Sequence, residues 1–101
     1  MKNAKHTWND FELRLVLETV LKYYKIRDWG SIIEHLSREI GASENAIKVL
    51  LVSYGRMSQG FEANPTKGGA GHNWGANAER AFGLFKSERE LSTSKLNIIF
   101  N

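Results

Sequence analysis

The chain contains no cysteine and a single proline. Without thiols there can be neither a disulfide framework nor a thiolate metal site, so packing alone has to hold the fold. A chain of this kind suits a reducing compartment, and a cytoplasmic location is expected. No apolar run approaches the roughly 20 residues needed to span a bilayer. Met1-Lys2-Asn3-Ala4-Lys5-His6 has no apolar stretch of signal-peptide type behind it, so neither export nor a membrane partner is expected. Nor does either charge dominate: 14 Lys and Arg stand against 11 Asp and Glu, a net +3. That excess permits contact with a phosphate backbone without requiring it.

What is present is the composition of one globular domain, 101 residues of which 42% are hydrophobic and 25% charged. Phe11, Leu15, Leu17, Val20, Leu21 and Tyr24 recur at helical spacings; Thr7, Asn9 and Asp10 can each cap such a helix, and Asn9 with Glu12 three residues on has the form of a capping box. A first helix is expected over about 9–25. Asp28 can cap a second helix carrying Trp29, Ile32, Ile33, Leu36 and Ile40 on one face, with Gly41 as its left-handed stop. Ser43 can cap a third that carries Ile47, Leu50, Leu51 and Tyr54, with Gly55 as its end.

From Gly55 to Asn77 the helical period is lost, and six of the nine glycines and the only proline fall there. This reads as a long loop. Ala78, Ala81, Phe82 and Phe85 then mark a fourth helix over about 77–86, and Ser87 with Glu90 has the form of another capping box. Leu96-Asn97-Ile98-Ile99-Phe100 is apolar and β-branched, which favours a short strand or an extended tail. The expected architecture is all-α: a three- to four-helix bundle with a helix-turn-helix and a long Gly-rich loop, in a single domain. Its parts are an N-terminal arm (1–8), a three-helix core (9–55), the loop (56–76) and a C-terminal helix and tail (77–101).

With Gly41 at the ninth position of a helix-turn-helix frame of about twenty residues, the window runs from Ile33 to Val52. Its apolar positions fall on Leu36, Ile40, Ala42, Ile47 and Leu50, and its small crossing position on Ser37. The outward residues of the second helix of that pair are then Ser43, Glu44, Asn45, Lys48, Val49 and Val52. Asn45 suits adenine or phosphate, Lys48 phosphate or guanine, and Val49 a thymine methyl. The loop adds Arg56, Lys67, His72 and Trp74, a mixture of cations and an aromatic that suits a nucleic-acid backbone or a stacked base. An alternative is that Trp74 closes over the core as a lid.

Trp8 in W-N-D-F-E and Trp29 in D-W-G-S-I-I-E-H-L resemble the Myb/SANT class of three-helix domains, with Tyr54 standing where a third tryptophan is usual. Over more of the chain, W-N-D-F-E-L-R-L-V-L-E, S-E-N-A-I-K-V-L-L-V-S-Y, G-G-A-G-H-N-W-G and A-E-R-A-F-G-L-F resemble the N-terminal region of bacterial HNH-type restriction endonucleases. Asn45, Ile47 and Tyr54, with Gly71 and Gly75, match its motifs. That resemblance implies recognition of foreign or modified DNA ahead of a separate nuclease domain. It does not carry catalysis, because His6, His35 and His72 are dispersed and no carboxylates are spaced beside them as ligands.

Gly68-Gly69-Ala70-Gly71 lacks the preceding strand and following Lys-Ser or Lys-Thr of a phosphate cradle. Glu88 and Glu90, two apart, point in different directions on a helix. The expectation is a non-catalytic double-stranded-DNA-binding module without metal or cofactor. The alternatives are a protein-interaction adaptor or inhibitor, and the remnant of an enzyme that has lost its nuclease domain.

Overall fold

The computed structural model describes residues 6–60 and 76–101. Among these, all regular structure is helical: α1 (Asp10–Tyr23), a 3₁₀ turn (Tyr24–Ile26), α2 (Trp29–Ile40), α3 (Glu44–Ser58), α4 (Ala76–Glu88) and α5 (Thr93–Phe100).

The first three helices begin where their polar caps dictate. The Asn9 side chain accepts from the Glu12 amide at 2.8 Å, and the Glu12 carboxylate accepts from the Asn9 amide at 3.4 Å, so two otherwise orphaned donors are satisfied reciprocally. The Asp28 carboxylate accepts from the Ser31 amide at 3.1 Å and the Ser31 hydroxyl at 2.8 Å. These bonds hold the Asp28 carboxyl below its ordinary range, the Ser31 hydroxyl contributing most. Ser43 Oγ accepts from the Ala46 amide at 3.1 Å. Gly41 closes α2 at φ +83°, its amide donating to the Ser37 carbonyl at 2.8 Å.

Four expectations change. The buried stripe of α1 is Leu13, Val16, Leu17 and Val20, whereas Phe11 is 74% exposed; two residues before Leu13, it falls on the opposite side of the helix. Gly55 does not end α3, which continues to Ser58. A Cβ there would lie 3.0 Å from Asn101 Oδ1 and 3.5 Å from the Phe100 carbonyl oxygen, so glycine serves the close approach of α5.

Ser87 and Glu90 do not cap a new helix. Instead α4 closes with Leu91 N donating to Lys86 O at 3.0 Å and Glu90 N to Ser87 O at 3.2 Å, Glu90 being left-handed at φ +51°. This is the Schellman arrangement. The cap comes later, at Ser92, whose Oγ accepts from the Lys95 amide at 3.1 Å. The apolar tail is accordingly helical, not extended: Leu96, Ile99 and Phe100 are buried at helical spacing, and no strand among the described residues offers a ladder for the backbone to join.

The core gathers around Tyr54. Its hydroxyl donates to the Leu13 carbonyl of α1 at 3.0 Å, and its ring lies 5.7 Å from Phe82 of α4 and 5.9 Å from Phe100 of α5, themselves 6.0 Å apart. Helices α1, α3, α4 and α5 therefore meet at one aromatic cluster, while Ile32, Ile33 and Leu36 bring α2 into the same core. At the surface, Asp10 pairs with Arg80, Arg14 with Glu88, and Glu18 with Arg89. Positions rise together along α1 and α4, so these two helices run in the same direction.

Candidate functional site

Helix α3 carries five of the sequence-predicted site residues together with their cap. Ser43 starts it, and Glu44 occupies its first turn, where a carboxylate complements the positive end of the helix. Both are exposed, and these structural tasks account for both. Asn45, Lys48, Val49 and Val52 are exposed as well. At 3.6 residues per turn they share one side of the helix with the half-buried Arg56 and the exposed Gln59. The buried Ile47, Leu50 and Tyr54 occupy the other side. From Asn45 to Arg56 the stripe is about 16 Å long at 1.5 Å per residue.

Lys67, His72 and Trp74, and with them the Gly-rich segment from Gly68 to Gly75, lie outside the described residues. Arg56, assigned to the loop from sequence, is instead part of α3, because the helix runs on through Gly55.

The turn before α3 is short. Ser37 Oγ donates to the Ala42 carbonyl across it, and Leu36, Ala42, Ile47 and Leu50 are buried on its inner side, with Ile40 half-buried. Along the flank of α3 runs an open cleft of about 690 Å³ whose walls include Trp29 and Ile33 from α2, Leu51 and Lys48 from α3, and Phe100 from α5. Its charged lining side chains, Lys48 and Arg56, are both cationic. Sequence reasoning missed the part that Phe100 and Asn101 play here. An apolar tail read as extended carries no signal of which helix it will cover.

No group of three or more His, Asp or Glu among the described residues could hold a metal ion, and none of the helices described is long and apolar enough to cross a membrane. His35 is exposed on α2, and Glu88 is engaged by Arg14 at 2.8 Å. Comparison with protein-family models, with curated proteins and with solved structures gives no match to this chain.

Proposed function

We propose that the chain is a non-catalytic double-stranded-DNA-binding module of helix-turn-helix type in which α3 enters the major groove. The observation that carries this reading is the α3 stripe of Asn45, Lys48, Val49, Val52 and Arg56. It combines an amide, cations and branched apolar side chains on one face, the residue types that read base edges and hold phosphates. The short turn at Gly41 and the buried inner positions around it support the same reading, since this motif joins its two helices by a few residues with glycine at the corner. The resemblance to the recognition region of HNH-type restriction endonucleases adds that foreign or modified DNA is the target class.

A titration of labelled duplex DNA at two salt concentrations tests the proposal. Lys48→Ala should weaken binding to all sequences and lower the slope of log affinity against log salt by about one phosphate contact. Asn45→Ala should relax sequence preference while the salt slope stays. Both variants should melt with the parent, because exposed substitutions away from caps and core seldom move stability by more than about 0.5 kcal/mol. Unchanged DNA binding by the folded double variant removes α3 as the reader. A parent without salt-dependent binding to duplex leaves the adaptor reading, which the apolar wall formed by Trp29, Leu51 and Phe100 beside α3 favours.

A further inference from the structure

The cations of this chain are unevenly used. Arg14, Arg80 and Arg89 are all engaged with carboxylates along the α1–α4 seam. At the junction of α1, the 3₁₀ turn and α2, by contrast, Lys22, Lys25 and Arg27 are exposed. Among the described residues none of the three has a carboxylate within ion-pair distance. Helix α5 adds a fourth cation, for Lys95 Nζ donates to the Tyr24 hydroxyl at 2.9 Å. The positive charges of Lys95, Lys25 and Arg27 together hold the Tyr24 phenol below its ordinary range, the Lys95 hydrogen bond most of all. The neighbouring carboxylate, Asp28, is turned to the Ser31 amide and hydroxyl. The charges of Lys25, Arg27 and Lys95 thus gather around Tyr24, with Lys22 on the adjoining last turn of α1, on a chain whose whole excess is +3.

Two further features mark this ledge. Arg27 sits in the left-handed region at φ +63°, a conformation that favours glycine or asparagine, and a long cationic side chain is held there at a conformational cost. Beside it, Ile26 is 66% exposed and Tyr23 36% exposed, giving apolar surface among the charges. The ledge also adjoins the α3 face: two residues after Arg27, Trp29 lines the cleft shared with Lys48 and Val52.

We infer that Lys22, Lys25, Arg27 and Lys95 form a second contact surface, one that takes the phosphodiester backbone of the duplex flanking the segment read by α3. The inference rests on the DNA-binding reading above and extends it from a reading helix to a clamp. Lys22, Lys25 and Arg27, exposed and without acidic partners among the described residues, beside the half-buried Lys95, suit a row of phosphates, whose condensed counterions they displace.

The test compares the parent, a ledge variant (Lys22→Gln, Lys25→Gln, Arg27→Gly) and Lys48→Ala, each titrated with the same labelled mixed-sequence duplex at 50 and 200 mM salt. Glycine replaces Arg27 so that the left-handed backbone is kept, and the ledge variant is expected to melt at or above the parent temperature. Removing three phosphate contacts lowers the salt slope by about 2 to 3 and weakens binding at 50 mM by at least about tenfold, without altering sequence preference.

A ledge variant that binds like the parent while Lys48→Ala is weakened overturns the ledge and leaves α3 as the reader. The opposite pattern upholds the ledge and removes α3. A parent with no salt-dependent duplex binding overturns both. Should the triple variant fail to fold, Lys25→Gln and Arg27→Gly singly are each expected to lower the slope by about one, and no change in either overturns the inference.

Discussion

Tyr54 concentrates the energetics of this core in a single side chain. Its ring is fully buried against Phe82 and Phe100, and its hydroxyl has a partner in the Leu13 carbonyl. Tyr54→Phe keeps the ring packing and deletes one hydrogen bond, so a loss of about 0.5–1.5 kcal/mol is expected by chemical denaturation. Burial pushes the phenol well above its ordinary value. The unfolded chain releases that proton near pH 10 and the folded chain does so later. As pH rises past the unfolded value, ionisation therefore favours the unfolded state and stability falls; below it this group contributes no pH dependence. Melting curves followed from pH 8 to 11 should decline less steeply for Tyr54→Phe than for the parent. Equal slopes would show that this hydroxyl ionises as readily folded as unfolded.

Among the elements, α5 depends most on its neighbours. Eight residues are far fewer than the roughly 12 to 15 at which isolated helices become marginal in water, so its helicity derives from Leu96, Ile99 and Phe100 packing on the bundle. Ile99→Ala should cost about 2–5 kcal/mol, and Ser92→Ala about 1 kcal/mol through loss of the cap. In both, amide exchange over 93–100 should accelerate more than over α1. The matching demand falls on α3, where Gly55 admits the α5 terminus and Asn101 Nδ2 donates to Ser58 Oγ at 2.8 Å. Gly55→Leu should overpack this contact and cost about 1–3 kcal/mol. Retention of parental stability would mean that α5 can lift away freely. Leu50→Ala, at a buried position on the same helix, should likewise cost about 2–5 kcal/mol through the cavity left behind.

Across the whole molecule, charge divides between holding the fold and facing outward. The Arg14, Arg80 and Arg89 pairs lie at the surface, with side chains 30%, 55% and 44% exposed, and exposed pairs of this kind are worth at most about 1 kcal/mol each. Lys22, Lys25, Arg27 and Lys48 have no such partner among the described residues. Raising salt from 50 to 500 mM should accordingly move the melting temperature by only a few degrees, while on the proposed DNA-binding function duplex affinity falls by orders of magnitude. A melting transition as salt-sensitive as binding would contradict this division. Charge totals did not reveal it, because a net of +3 does not say which cations are already spoken for.

The first three helices, their caps at Asn9, Asp28 and Ser43, and the stop at Gly41 were legible in the sequence because caps and periodicity are local. A side chain bonds an amide two or three residues away whatever the rest of the chain does. The outward positions Asn45, Lys48, Val49 and Val52 of α3 followed from the helix-turn-helix frame, whereas Arg56 joined them only because the helix runs on through Gly55. The end of α3, the conformation of the tail and the cluster around Tyr54 depend on segments far apart in sequence. Gly55 reads as a stop until Phe100 and Asn101 are packed on it, and Leu96–Phe100 reads as extended until its backbone has no strand to pair with and its apolar side chains have a bundle to cover. Likewise Lys95 joins Lys25 and Arg27 only because α5 folds back on Tyr24. Local chemistry set where most helices begin, and tertiary packing decided where α3 ends, what the tail becomes and which charges meet, since burial and proximity are properties of the assembled chain.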